Sequence, residues 1–270
     1  MDNSDLGKRM KEFYEQVPKT RLVRRMPVMI RIDGKAFHTF TRGFQKPFDD
    51  VLIKSMQETM KYLCENIQGC VFGYTQSDEI TLILVDYKKL TSSAWFDYEV
   101  QKMCSISASM ATMAFNKFFE KEIKKLDTLN HTKHFESAAS FIAYQDMMIT
   151  YSKAANKGAM FDSRCFNVPK EEVTNFVYWR QLDATRNSIQ MMGQANFSHK
   201  QLQNKSCNMI QDMLFTEKGI NWNNLPTVYK RGSACLKDEN GHWFIDENMP
   251  ILKNTEDINY RDYVDKLIYF

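Results

Sequence analysis

The sequence predicts an α+β fold: a ferredoxin-like β-α-β-β-α-β unit followed by a helical and loop C-terminal extension packed on it. Three observations carry this reading. Short β-rich runs occur at Pro27 to Gly34, Val71 to Thr75, Ile80 to Val85 and Met160 to Pro169. Only the polar Gln76-Ser77-Asp78-Glu79 separates the second run from the third, so those two form a hairpin. Helical periodicity fills the intervals between the first and second runs and between the third and fourth, which makes each of those connections a crossover. On this reading residues 1–170 hold the sheet and an N-terminal helix, and residues 171–270 form the extension.

The elements follow in order. Ser4 to Glu15 forms a short amphipathic helix with Leu6, Met10, Phe13 and Tyr14 on one face. Arg21, Arg24 and Arg25 precede the first strand, as a phosphate-gripping cluster or as a solvated flank. Asp49 caps a helix in which Leu52, Met56, Met60, Leu63 and Ile67 recur at helical spacing, so this face packs on the sheet. The helix from about Ser93 to Lys121 is rich in small residues, among them Ser107, Ala111 and Ala114, and these allow close packing under the sheet. Lys121 to Gly158 has few periodic signals and reads as a polar loop, and His131 and His134 within it lack a carboxylate partner for metal binding. Glu171 to Met191 is a third strong helix, and the tail from Phe197 onward reads as smaller helices and loops.

Composition narrows the class. The 270 residues are 43% apolar and 26% charged, a globular composition with enough chain for a substantial core. A formal net charge of +3 permits nucleic-acid binding without arguing for it, because local clustering of charge outweighs the sum. The six cysteines include no C-x-x-C pair, so neither a zinc knuckle nor a disulfide framework is indicated; reduced thiols and a cytoplasmic location are expected. The charge-studded segment from Asp2 to Arg25 is unlike a signal peptide, and no run reaches the length that spans a bilayer.

The chemistry centres on the hairpin. Its turn holds two acids with no following glycine, either as a solvated acidic turn or as carboxylates placed for a ligand. Asp33, ending the first strand, favours the second reading if that strand lies beside the hairpin. Two converging carboxylates repel each other unless a cation sits between them. Two acids and a backbone carbonyl suit Mg²⁺ carrying a nucleoside triphosphate, and Gly34 lets the main chain approach the ion closely. Lys46 is the stronger candidate for phosphate and His38 a weaker one for the nucleotide. An acid on the first strand and another at the central hairpin is the arrangement of a polymerase or cyclase palm, the setting of two-metal phosphoryl transfer.

A set of motifs then becomes specific: Arg31-Ile32-Asp33-Gly34-x-x-Phe37-His38-x-Phe40, Lys46-Pro47-x-Asp49, Tyr74-x-Gln76-Ser77-Asp78-Glu79, Phe161-Asp162-x-Arg164, Trp179-Arg180-Gln181-x-Asp183 and Tyr229-Lys230-Arg231-Gly232. In this order they resemble the tRNA-His guanylyltransferase family. The resemblance implies a palm-fold nucleotidyltransferase that extends the 5′ end of tRNA in the 3′-to-5′ direction. A nucleoside triphosphate, ATP or GTP, activates the RNA's 5′-monophosphate, and the 3′-hydroxyl of the incoming nucleotide then attacks it. It further implies two Mg²⁺ ions on Asp33, the Gly34 carbonyl and Asp78, with Glu79 in a supporting catalytic role. By the same resemblance Arg31, Lys35, Ala36, Phe37, His38, Lys46 and Ser77 handle nucleotide, and Lys102 faces a second triphosphate. Arg164, Asn187, Lys205, Lys230 and Arg231 are carried over as tRNA or activation contacts, and the expected assembly is a homotetramer built as a dimer of dimers.

One departure separates branches within the family. Eukaryotic members follow Trp-Arg-Gln-x-Asp with a Cys-His-Ile-Asn-Asn-Leu-Tyr-Asn run, whereas this chain reads Ala184-Thr185-Arg186-Asn187-Ser188. With Thr185 in place of that histidine, the chain is more similar to the branch that repairs 5′-truncated tRNA by templated addition than to enzymes adding one untemplated guanosine to tRNA-His. Two rivals stand beside it. A nucleotidyl cyclase would use the same palm, but the hairpin lacks the Gly-Gly-Asp/Glu-Glu-Phe turn of diguanylate cyclases. An RNA-binding module without catalysis would leave two acids repelling RNA.

Overall fold

The computed structural model describes residues 4–131, 135, 137–253 and 259–269, with His131 described by its backbone alone. The His131 and His134 side chains therefore lie outside the described residues. A six-stranded antiparallel sheet organises the molecule. β1 (Val28–Gly34) pairs with β3 (Glu79–Leu84) on one side and β4 (Phe161–Asn167) on the other, and β2 (Cys70–Gln76) returns into β3 through Ser77 and Asp78. β5 (Ser233–Lys237) and β6 (Trp243–Asp246) continue the sheet past β2, giving the order β4-β1-β3-β2-β5-β6.

Helices cover one face. α1 (Asp5–Met10), capped by Ser4, runs into a wider π-turn at Lys11–Glu15, while α2 (Phe37–Phe40) is a single turn after β1. α3 (Asp50–Asn66) and α4 (Val100–His131) then lie side by side under the sheet. Asp49 caps α3 as its sequence predicts, its carboxylate accepting from the Leu52 N–H at 2.9 Å. Met56, Met60 and Leu63 are buried on the predicted face. Burying each such side chain contributes about 2 kcal/mol. Ser107 and Ala111 of α4 are fully buried, and Ser107 Oγ meets Ser163 Oγ of β4 at 2.7 Å, so small residues do bring this helix close to the sheet.

The polar loop expected over residues 121–158 is instead helical. α4 continues to His131, and α5 (Ala138–Lys157) returns along it, capped by Ser137 and stopped at Gly158. Only Tyr151 and Ala154 of α5 are buried. A helix with so small a buried face carries no clear apolar period, which is why its pattern is faint.

Beyond β4, α6 (Lys170–Asn196) crosses the opposite face of the sheet, followed by α7 (His199–Leu202), α8 (Cys207–Lys218), α9 (Thr227–Arg231) and, near the C-terminus, α10 (Asp262–Asp265). The tail is thus helical as expected but also supplies β5 and β6, which the sequence reading takes for loop. Val173 and Val177 of α6 join Met29, Phe72, Ile83, Ala234 and Leu236 in a second core on this face. No helix among the described residues is long and apolar enough to cross a membrane.

Candidate active site

Side-chain alternation puts Met29, Arg31 and Asp33 of β1 on the face that α6 crosses, with Glu79 and Thr81 of β3 beside them and Asp162 and Arg164 of β4 on the other flank. Asp33 stands opposite Glu79 in register, and the Gly34 N–H donates to the Asp78 carbonyl at 3.0 Å, which ties the end of β1 to the hairpin turn. Ser77 turns that corner with φ 51°, and its hydroxyl donates to Asp78 Oδ1 at 3.0 Å. At Gly34 a Cβ would lie 2.2 Å from the Phe37 ring, so only glycine lets that ring tuck beneath the strand end.

Burial pushes the Asp78 carboxyl up from its usual range, the charge of Asp33 adds to the shift, and the Ser77 hydroxyl opposes it. Glu79 is also raised by burial, opposed by Arg180 first and then Arg31. Arg31 donates to Glu79 Oε2 at 2.7 Å and lies 3.9 Å from Asp33 Oδ2. Arg180 Nε lies 2.7 Å from the other oxygen, Oε1, but its N–H is not aimed along that line, so the contact is an ion pair rather than an aligned hydrogen bond. Both Glu79 oxygens are engaged by cations, whereas Asp33 keeps only the longer Arg31 contact and Asp78 bears the charge of Asp33.

Beside this pair opens a pocket of about 490 Å³ lined by Gly34, Ala36, Phe37, His38, Lys46, Ser77 and Asp78 among others. Phe37 is 5% exposed and packs against Phe40, Phe115 and Phe161, so it forms the floor of the pocket. Ala36 holds a left-handed φ of 53° ahead of α2. Thr41, Phe44, Gln45 and Met191 also line the pocket without having been singled out from sequence.

Other sequence-predicted residues fall elsewhere. The Lys35 N–H donates to the Met160 carbonyl, and the residue is not part of the pocket lining. Asn187 lines a smaller cavity of about 90 Å³ that shares Asp49, Leu52, Ser77 and Met191 with the pocket. Lys205 lines a separate cavity with Gln190 and His199. Lys230 donates to the Asn223 carbonyl at 2.6 Å, and burial lowers the pKa of Arg231, whose own carbonyl accepts from the Tyr74 hydroxyl at 2.6 Å. Lys102 lies far from the pocket. α4 runs antiparallel to β4, with Cys104 beside Cys165 and Thr112 beside Phe161, so Lys102 sits toward the end of β4 opposite to Asp162 and Asp33.

The roles of Arg180 and Asp183 are not legible from the Trp-Arg-Gln-x-Asp motif alone. Arg180, 4% exposed, pairs with Asp183 Oδ2 at 2.6 Å as well as with Glu79, while Gln181 holds the Pro250 carbonyl and the Leu252 N–H. The three-residue spacing of Arg180 and Asp183 on a helix is the available signal.

An antiparallel sheet that sets two acids beside a pocket bearing a lysine, a histidine and a serine is the site of a nucleotidyltransferase. The family model described as tRNAHis guanylyltransferase matches residues 7–169, and the chain belongs to that family. A solved bacterial tRNA(His) guanylyltransferase-like protein in complex with ATP is 41% identical, covers 98% of this chain and 100% of its own, and superposes with a TM-score of 0.80. A bacterial like protein in complex with GTP is 36% identical, covers 99% of this chain and 100% of its own, and has a TM-score of 0.74. The tRNA(His) guanylyltransferase of Kluyveromyces lactis is 27% identical over 224 residues, which is 76% of this chain and 80% of that protein.

Proposed function

We propose that this chain restores 5′-truncated tRNA by adding nucleotides to its 5′ end in the 3′-to-5′ direction, each addition templated by the opposing base. The observation that carries this reading is the meeting of Asp33 with the Asp78 turn at the mouth of the pocket holding His38, Lys46 and Ser77. The split β-α-β-β-α-β core, with strand order β4-β1-β3-β2, supports reading the sheet as a ferredoxin-like palm, with residues 1–170 as its catalytic part and 171–270 packed on it.

The donors fit a hard divalent cation. Asp78 is raised by burial and by the charge of Asp33, and Arg31, the nearest cation to Asp33, is turned to Glu79. Asp33, Asp78 and the Gly34 carbonyl would hold two Mg²⁺ ions, whose chemistry there is to neutralise the triphosphate and acidify the attacking hydroxyl. Among the described residues no group of three or more His, Cys, Asp or Glu side chains is placed to hold a metal; this set needs only two carboxylates and a carbonyl. Lys46, His38 and the Ser77 hydroxyl bind phosphate oxygens of the nucleoside triphosphate, ATP or GTP. The RNA's 5′-monophosphate attacks the α-phosphate of that triphosphate, so that a phosphoanhydride forms and pyrophosphate leaves. The 3′-hydroxyl of the incoming nucleotide then attacks, one phosphodiester bond forms, and the activating nucleotide leaves. Glu79, held between Arg31 and Arg180, positions β1 against β3 under this chemistry.

Templated repair is favoured over untemplated guanosine addition by Thr185, which stands in place of the histidine that follows the Trp-Arg-Gln-x-Asp motif in eukaryotic members. Exposed Met113 on α4 and Phe141, Ile142 and Ile149 on α5 support the homotetramer. The test incubates the protein with Mg²⁺, ATP, labelled nucleotides and a 5′-monophosphorylated tRNA lacking its first nucleotide, with the opposing base varied. Incorporation that follows the opposing base, lost in Asp33→Ala and Asp78→Ala, is the expected result. Guanosine alone, whatever stands opposite, returns the tRNA-His-specific activity; no addition shifts the reading to a palm-fold cyclase or a binding module.

A further inference from the structure

Beside the catalytic pair, α6 leaves part of its sheet face uncovered. Val173 and Val177 pack into the core with Met29, Phe72, Ile83, Ala234 and Leu236, while Phe176 and Trp179, three residues apart, form a stripe on the flank of the helix toward β4. Phe176 meets Phe166 of β4 with ring centroids 5.5 Å apart, and the Arg180 of this helix reaches Glu79 of β3, which places the stripe as a wall along the strands. The floor is Arg31, Asp33, Asp162 and Arg164, cross-strand neighbours in register, so the groove leads to the acid pair.

The wall carries a rigid aromatic surface. Trp179 is 50% exposed, packs edge-to-face on Phe176 at 5.5 Å, and has the Arg180 guanidinium carbon 4.3 Å from its ring centroid. Arg164 is also well exposed, and its side chain makes a long 3.5 Å contact to Asp162. Arg31 Nε in the floor and Thr81 Oγ1 beside it on β3 are buried without a hydrogen-bond partner among the described residues. A half-open indole backed by a guanidinium, with an exposed, loosely paired arginine across the groove, is the combination that takes a stacked base and its phosphate.

We propose that this groove receives the acceptor end of the RNA, with Trp179 stacking on the last base of the stem and Arg164 contacting its phosphate. The assignment rests on the tRNA-extending reading above and adds to it the surface that presents the RNA end to Asp33 and Asp78. The test is an equilibrium titration of the full chain, without metal, by a 5′-monophosphorylated acceptor-stem minihelix, followed by tryptophan fluorescence. Of the other tryptophans, Trp95 and Trp222 are buried at 7% exposure.

Wild type is expected to be quenched on binding. Trp179→Phe should lose most of the quench with Kd raised less than about threefold, and Trp179→Ala should raise Kd roughly tenfold. Arg164→Gln should lower the slope of log K against log salt by about one. A full quench in Trp179→Phe together with wild-type affinity in Trp179→Ala overturns the stack and leaves the RNA reading standing. A wild-type protein that binds no minihelix overturns that reading and the stack together. The same quench from ATP alone would give the ring to a free nucleotide and overturn its assignment to RNA.

Discussion

Arg180 on α6 and Glu79 on β3 form an ion pair at 2.7 Å with both side chains more than nine-tenths buried, one from each part of the chain. Arg180 is held in turn by Asp183, and Glu79 by Arg31, so a line of alternating charge runs from α6 to the first strand. Arg180→Ala leaves Glu79 with one cation and should destabilise the fold by about 3 kcal/mol, since an uncompensated buried charge costs more than the pair gains. The loss should depend on pH. With its largest lowering cause removed, the Glu79 pKa climbs further above its unfolded value, so stability is retained at acid pH and lost as pH rises through the raised value. Urea unfolding at acid and neutral pH checks this, and Glu79→Gln added to Arg180→Ala should recover part of the deficit.

Asp78 stands the other way, an acid raised by burial and by Asp33 with no arginine of its own in those causes. Its ionised form costs stability at neutral pH, and Asp78→Asn should raise Tm there by a few degrees while abolishing nucleotide addition, a trade common at sites held under strain for function. The same shift sets a pH dependence. As pH falls through the raised pKa, a proton competes with cation for the carboxylate, so addition should decline at a pH above the ordinary carboxylate range and recover with excess Mg²⁺. Thermal melts and rates at two Mg²⁺ concentrations decide the matter.

The order of the first four strands, both crossover helices and the acid pair were legible because each has a strong local signature: apolar runs of strand length, a capped helical period, a hairpin turn without glycine. β5 and β6 were not. Ser233-Ala234-Cys235-Leu236 has too little β-branched or aromatic bulk to read as a strand, and it becomes one by pairing with Gly73, Tyr74 and Thr75 of β2. Gly34, Ala36, Phe37, His38, Lys46 and Ser77 of the pocket lie close to the acids in sequence, whereas Met191 reaches the pocket only because α6 doubles back across the sheet. Arg180 was seen as part of a motif, but its partner is 101 positions away and only the fold brings the two together.

Lys46 lines the pocket as an exposed ammonium and forms no ion pair with a carboxylate among the described residues, which leaves it available to phosphate. Lys46→Ala should raise KM for the activating triphosphate roughly tenfold, the loss of one charge-assisted hydrogen bond of about 1.5 kcal/mol. Steady-state kinetics against triphosphate concentration, with RNA saturating, separate this from an effect on kcat.

Gly232 joins the tail to the hairpin. Its φ is +80°, and a Cβ there would lie 2.2 Å from the Thr75 carbonyl oxygen, which belongs to backbone and cannot swing aside. Gly232→Ala should therefore push β5 from β2 and lower stability by about 2 kcal/mol or more, with both strain and lost pairing contributing. Hydrogen exchange should show the loss first at the β5 amides; unchanged protection there would mean the sheet absorbs the added methyl.

Thr185 tests how much one residue decides between templated and untemplated addition. It sits on α6 between Ala184, which lines the small cavity with Asn187 and Tyr229, and Arg186, which is bound to Asp183. The next turn is fixed separately: Ser188 Oγ accepts from Trp222 Nε1 at 3.0 Å, and Tyr229 stacks on Phe48 at 4.7 Å while its hydroxyl donates to Asp50. A histidine placed at one position leaves that surrounding frame unchanged, so Thr185→His should keep incorporation dependent on the opposing base and add no untemplated guanosine. Primer-end analysis of the products with each of the four opposing bases measures this. Guanosine addition opposite every base in this single variant would place the choice in the one side chain rather than in the packed segment around it.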